Sequence, residues 1–183
     1  MTTVQLDEAR RQIVATVREF VQKDVVPQAA EHDENDTYPT ELVEQMAEMG
    51  LFGITVPEEY GGLGLDYTTY AMVFEELCKG WMSISAPIGT HSILTAALVN
   101  HGTEEQKREW LPKLAAGEKR GGLALTEPGG GSDVASLQTT AVKDGEEYVV
   151  NGNKLFITNG RSGDVYLLLA KTDTGIDPPH RGI

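Results

Sequence analysis

The stretch Leu123-Ala124-Leu125-Thr126-Glu127-Pro128-Gly129-Gly130-Gly131-Ser132-Asp133 decides how this chain is read, because the hydrophobic period changes just before it. Upstream, apolar residues recur every three or four positions, as on one face of a helix; downstream they alternate, as in strands. The stretch opens as a strand over 123–126 and stops at Pro128, which has no amide to give to a ladder. The amides and carbonyls of the strand end are therefore expected to be open to another partner. Three consecutive glycines let a ligand approach the backbone closely, and their amides, followed by Ser132, can surround an anionic group such as a pyrophosphate.

Toward the amino terminus the pattern is helical. Leu6, Ala9, Ile13, Val14, Val17, Phe20, Val21 and Val25 form one stripe, which Pro27 bends or ends. A second helix starts near Pro39 and Thr40, carries Leu42, Val43, Met46, Ala47 and Met49, and meets Gly50 where a left-handed cap belongs. Residues 57–64 hold one proline and three glycines and read as a loop. Asp66 caps a helix with Tyr70, Val73, Phe74, Leu77 and Cys78 on its apolar side, and Cys78 is expected to be buried packing. Residues 83–100 form a helix rich in small side chains, able to lie close to a neighbour or a ligand. Thr103-Glu104-Glu105-Gln106 has the capping-box pattern and opens a helix in which Pro112 is a kink or marks the last turns.

Toward the carboxy terminus, residues 123–126, 137–142, 148–150, 154–158 and 165–170 read as strands. Asp144-Gly145 and Asn151-Gly152 are hairpin dipeptides, so the expected arrangement is an antiparallel meander. The fold class is α+β: an all-α domain over 1–120, then an incomplete antiparallel β-domain over 121–183, whose strands are too few for a sandwich or barrel. Apolar helix faces over 6–114 are expected to remain exposed in this stretch.

Composition narrows the function. The chain has 183 residues, 40% hydrophobic and 23% charged, with a net charge of −13, which excludes disorder, a collagen-like chain and nucleic-acid binding. The lone cysteine excludes an internal disulfide. The longest strongly apolar run, 165–170, is far shorter than the roughly 20 residues of a membrane span. With no secretion signal at the start, a cytoplasmic location is expected. Gly129 to Val134 lacks the last glycine of a dinucleotide turn and opens no long helix. Ser132 is not in a nucleophile elbow, since residue 134 is valine. His32, His91, His101 and His180 lack metal-ligand spacing, and no metal is expected.

Pro57-Glu58-Glu59-Tyr60-Gly61-Gly62, Gly102-Thr103-Glu104-Glu105-Gln106-Lys107, Leu111-Pro112-Lys113-Leu114, residues 125–133, Asn151-Gly152-Asn153-Lys154 and Phe156-Ile157-Thr158-Asn159-Gly160 stand in one order and spacing. In these motifs the chain resembles the acyl-CoA dehydrogenase family over nearly all its length. The resemblance implies an amino-terminal helical domain, a middle β-domain and a carboxy-terminal helical bundle; the last is absent from residues 1–183, and truncation is the expected reason.

The resemblance also implies FAD as cofactor, an acyl-CoA as substrate and oxidation to the 2,3-enoyl thioester, with an electron-transferring flavoprotein as partner and a homo-oligomer, a homotetramer, at full length. Leu123, Leu125, Thr126, Gly131, Ser132, Phe156, Ile157 and Thr158 are the implied cofactor contacts. Leu125 and Thr126 would meet the polar edge of the flavin ring, Phe156 would pack on the ring face away from substrate, and Thr158 would bond near N5. Ser132 is placed at the phosphates of CoA or FAD and is also the implied substrate contact. Glu127 is read as a turn residue, the α-proton base being expected in the bundle, so residues 1–183 alone are expected to be inactive. Two alternatives stay open: a non-catalytic two-domain binding or regulatory fragment, and an acyl-CoA oxidase or flavin monooxygenase of the same architecture.

Overall fold

Pro27 does not stop the first helix. In a computed structural model describing residues 3–183, without the side chains of 3–7 and 179, α1 (Thr3–Phe20) passes through one turn of π-helix, Val21–Val25, into α2 (Val26–Glu34). The Val26 amide bonds to Val21 O, five residues back, and this wider turn carries the chain past a residue that has no N–H. Val14, Val17, Phe20, Val21 and Val25 of the expected stripe are buried; the Leu6 side chain lies outside the described residues.

The chain divides into two units, Met1–Lys119 and Arg120–Ile183. The first adds α3 (Thr40–Glu48), α4 (Tyr67–Gly80), α5 (Met82–His101) and α6 (Glu104–Ala115). Its core joins Val17 and Val21 to Leu42, Val43, Met46, Leu51, Phe52, Ile54, Val73, Leu77, Ile84 and Ile88. Each such side chain contributes about 1.5–3 kcal/mol by leaving water. Asp66 accepts from the Thr69 amide at 2.8 Å and caps α4. Thr103 and Gln106 form the reciprocal capping box of α6, with Pro112 inside that helix.

Two expectations change in this unit. Cys78 is exposed, because its place on α4 lies beyond the stripe that Val73 and Leu77 bury. By length and composition α5 is long enough to cross a membrane, which no stretch was expected to be; in this unit Ile84, Ile88, His91 and Leu94 bury one side of it. Met82 and Ile93 of the same helix are exposed. His91 is wholly buried, edge-on to Phe52 with ring centroids 5.0 Å apart and Nε2 3.1 Å from the Leu114 carbonyl, and so belongs to the packing.

In the second unit β2 (Thr140–Asp144) and β3 (Glu147–Asn151) form the expected hairpin, turning at Gly145 with φ 62°. The meander ends there. β1 (Gly121–Ala124) pairs with β4 (Val165–Leu168) in parallel, Gly121 opposite Val165 and Ala124 opposite Leu168, which corrects the all-antiparallel expectation. Lys171 then bridges to Thr140, also in parallel, so the chain after β4 links the two strand pairs. Residues 154–158 form no strand, and Asn151-Gly152 is no hairpin turn. Glycine is needed at 152 for another reason: a Cβ there would lie 2.3 Å from Thr139 Oγ1 and 2.8 Å from its Cα.

Candidate functional site

The proline turn is closed by its own backbone. The Glu127 amide donates to Gly130 O at 2.9 Å and the Gly130 amide returns to Glu127 O at 3.1 Å. Nothing lies within 4 Å of a Cβ placed on Gly129 or Gly130, so the outer face of the turn is open. The amides of Gly131 and Ser132 donate to no group among the described residues. A cradle of unspent amides around open space suits an anionic ligand.

The strand end before this turn is not open in the way expected. Leu125 O accepts from Lys154 Nζ at 2.8 Å, and Thr126 O accepts from the Leu155 amide at 2.8 Å. Pro128 ends the ladder, but a segment about 30 residues further on replaces the missing strand, because buried carbonyls need donors. The Thr126 and Thr158 hydroxyls make no hydrogen bond among the described residues, and both residues are half-buried.

Glu127 is the centre of this arrangement. Its Oε1 accepts from Lys154 Nζ at 2.8 Å and from the Thr139 amide at 2.8 Å, and its Oε2 accepts from the Gln138 amide. Burial pushes the carboxyl pKa up, but the hydrogen bonds from Lys154, Thr139 and Gln138 more than offset it and hold it at about 2. A carboxylate so stabilised in its charged form is a weak base, and its chemistry is that of an anchor.

Beyond Lys154 the chain turns outward. Phe156 has φ 57° and is 85% exposed. A bulky residue in the left-handed region costs on the order of 1–3 kcal/mol, and leaving its ring in water recovers none of it. Ile157 is half-buried, and its carbonyl closes a turn with the Gly160 amide at 2.9 Å. Asn159, also left-handed at φ 62°, is buried; its Nδ2 donates to Gly121 O and its carbonyl accepts from Tyr166 Oη.

Of the residues expected at a site, Leu125, Thr126 and Gly131 lie together, a Cβ on Gly131 reaching 3.3 Å from Thr126 Cγ2, and the Leu155 bond to Thr126 brings Phe156 beside them. Leu123 sits within β1 opposite Leu167, and Ser132 is exposed; among the described residues no hydrogen bond ties either to 156–158. The sequence reading missed Lys154, Thr139 and Asn159. A lysine inside an apolar alternation was the available signal for the first. Among the described residues no group of three or more His, Cys, Asp or Glu could hold a metal ion.

The fold is a helical unit followed by a small β unit that carries the glycine turn. The chain matches the acyl-CoA dehydrogenase N-terminal domain over residues 7–118 and the acyl-CoA dehydrogenase middle domain over residues 122–183, and it belongs to that family. It is 42% identical over 181 residues to the mitochondrial isovaleryl-CoA dehydrogenase of Pongo abelii, covering 97% of this chain and 43% of that protein. The acyl-CoA dehydrogenase of Geobacillus kaustophilus superposes with a TM-score of 0.86 at 40% identity, covering 96% of this chain and 46% of that one. A glutaryl-CoA dehydrogenase from Mycobacterium smegmatis, solved in complex with FADH2, gives 0.84 at 36% identity over 95% of this chain and 45% of its own. The chain thus spans less than half the length of the relatives it matches.

Proposed function

We propose that this chain is the part of an acyl-CoA dehydrogenase that holds FAD and the thioester end of its substrate. The supporting observation is Phe156, strained and exposed next to the Thr126 turn. The residues present fit the group: an open aromatic face, two uncommitted hydroxyls, and a glycine turn with unspent amides. Phe156 would pack on the ring, Thr126 and Thr158 would bond its polar edge, and Gly131 and Ser132 would meet phosphate oxygens. Leu123, Leu125 and Ile157 would complete the wall. FAD, when bound, supplies the acceptor for the hydride that leaves Cβ of the acyl group. Glu127 is a poor acceptor for the α-proton, because hydrogen bonds from Lys154, Thr139 and Gln138 stabilise its charged form. In this reading the base comes from outside residues 1–183, and electrons leave for an electron-transferring flavoprotein.

The decisive experiment is a titration of the protein with FAD, followed by flavin absorbance, in the parent and in Phe156→Ala. Affinity should fall by about tenfold, as expected for a lost aromatic stack of roughly 1–2 kcal/mol. Unchanged uptake in Phe156→Ala would remove the assignment. Because the base lies outside residues 1–183 in this reading, the substrate class is tested in the complete enzyme, by anaerobic bleaching of its flavin with isovaleryl-CoA against shorter, longer and unbranched acyl-CoAs.

A further inference from the structure

Lys154 and Glu127 are both about nine-tenths buried. What they touch is backbone on both sides of the candidate site. Lys154 Nζ reaches the carbonyl of Leu125 as well as the Glu127 carboxylate, each at 2.8 Å. The next residue, Leu155, donates its amide to Thr126 O, and the residue after that is Phe156. From the other side, the amides of Gln138 and Thr139 hold both Glu127 oxygens. One ion pair therefore grips the strand end 125–127, the segment 138–139 and the start of 154–156 at a single point.

We infer that Lys154 and Glu127 are positioning residues: their pair sets the spacing between the Thr126 turn and the Phe156–Thr158 arm, and through it the geometry in which a flavin ring is held. The inference rests on the flavin reading above. Removing the ammonium would leave Leu125 O and Glu127 without their shared donor, and among the described residues the hydrogen bond that still joins the two stretches would be that of the Leu155 amide. Met at 154 restores the length of the side chain but not the three-way bond.

A control is built into the molecule. Glu76 in the helical unit is an equally buried carboxylate bonded to Arg18 and Lys79, far from this arrangement in the chain. The test compares Lys154→Met, Glu127→Gln and Glu76→Gln in the full chain by FAD affinity, visible circular dichroism of bound flavin, melting temperature, and hydrogen exchange at the Leu155 amide without FAD. Lys154→Met and Glu127→Gln should raise the FAD Kd by about tenfold or more, change the flavin dichroism and speed Leu155 exchange. Glu76→Gln should lower the melting temperature with the parent Kd and dichroism. Lys154→Arg, which keeps the buried charge, stands in if Lys154→Met does not fold, with a smaller shift in the same direction. Parent-like Kd and dichroism in the Lys154 and Glu127 variants would overturn the positioning role and leave the flavin reading intact. Equal shifts in Glu76→Gln would reduce the pair to a stabiliser. A parent chain that takes up no FAD overturns both readings, so it is titrated first.

Discussion

Glu76 and Glu127 are the same chemical device used in two ways. Both are buried carboxylates held at about 2, Glu76 by hydrogen bonds from Arg18 and then Lys79, Glu127 by Lys154, Thr139 and Gln138 working against its burial. Their partners differ. Arg18 and Lys79 are more than half exposed, reaching over the helical surface to a carboxylate beneath, whereas Lys154 is as buried as Glu127. A surface cation can return to water when its partner is lost; a buried one cannot. The helical pair therefore clamps α1 to α4, while the β-unit pair replaces strand pairing that the proline turn makes impossible.

The largest effect should come from Lys154→Met, which leaves a carboxylate buried without its cation: about 3–5 kcal/mol off the stability of the β unit. Urea unfolding followed by a probe in that unit measures it, and a loss under 1 kcal/mol would erase the contrast. Glu76→Gln should cost less, on the order of 1.5–3 kcal/mol, because the freed cations rehydrate. Gly152→Ala should fall in a similar range, about 1–3 kcal/mol, since the new methyl collides with Thr139 backbone and side chain.

Acid sharpens the comparison. Both carboxyls are depressed from the ordinary 4.5, so the stability they add is fully present above about 4.5 and is lost as pH falls toward 2. Unfolding of both units should begin in that window, and Glu76→Gln should flatten the acid limb of the helical unit alone. Far-ultraviolet dichroism against pH, in parent and variant, reads this directly. The smallest effect on stability is expected at Phe156→Ala, within about 0.5 kcal/mol, because an exposed ring packs on nothing. A melting temperature well below the parent's would mean that Phe156 serves the fold and not a ligand.

Much of the helical unit was legible because its signals are local. The stripe from Val14 to Val25, the Asp66 cap and the Thr103–Gln106 box each involve residues a few positions apart. The β unit was legible only at Asp144-Gly145. At Asn151-Gly152 the same dipeptide chemistry gave the wrong answer, since the glycine answers to a neighbour, Thr139, that lies outside any local window. The alternation over 154–158 misled for a related reason. Its lysine points into a buried pair and its phenylalanine into open space, so the pattern follows a site and not a sheet face.

By itself the sequence determined the helices, the change of period at residue 121 and, through its ordered motifs, the family. Those depend on neighbours within about one helical turn and on residue types at set spacing. Tertiary structure alone decided that β1 and β4 run parallel across 44 residues, that Lys154 is buried 27 residues from its partner, and that Cys78 faces outward. The physical reason is desolvation. Which distant polar groups must share donors depends on which carbonyls the fold removes from water, and that is known only once the chain has closed on itself.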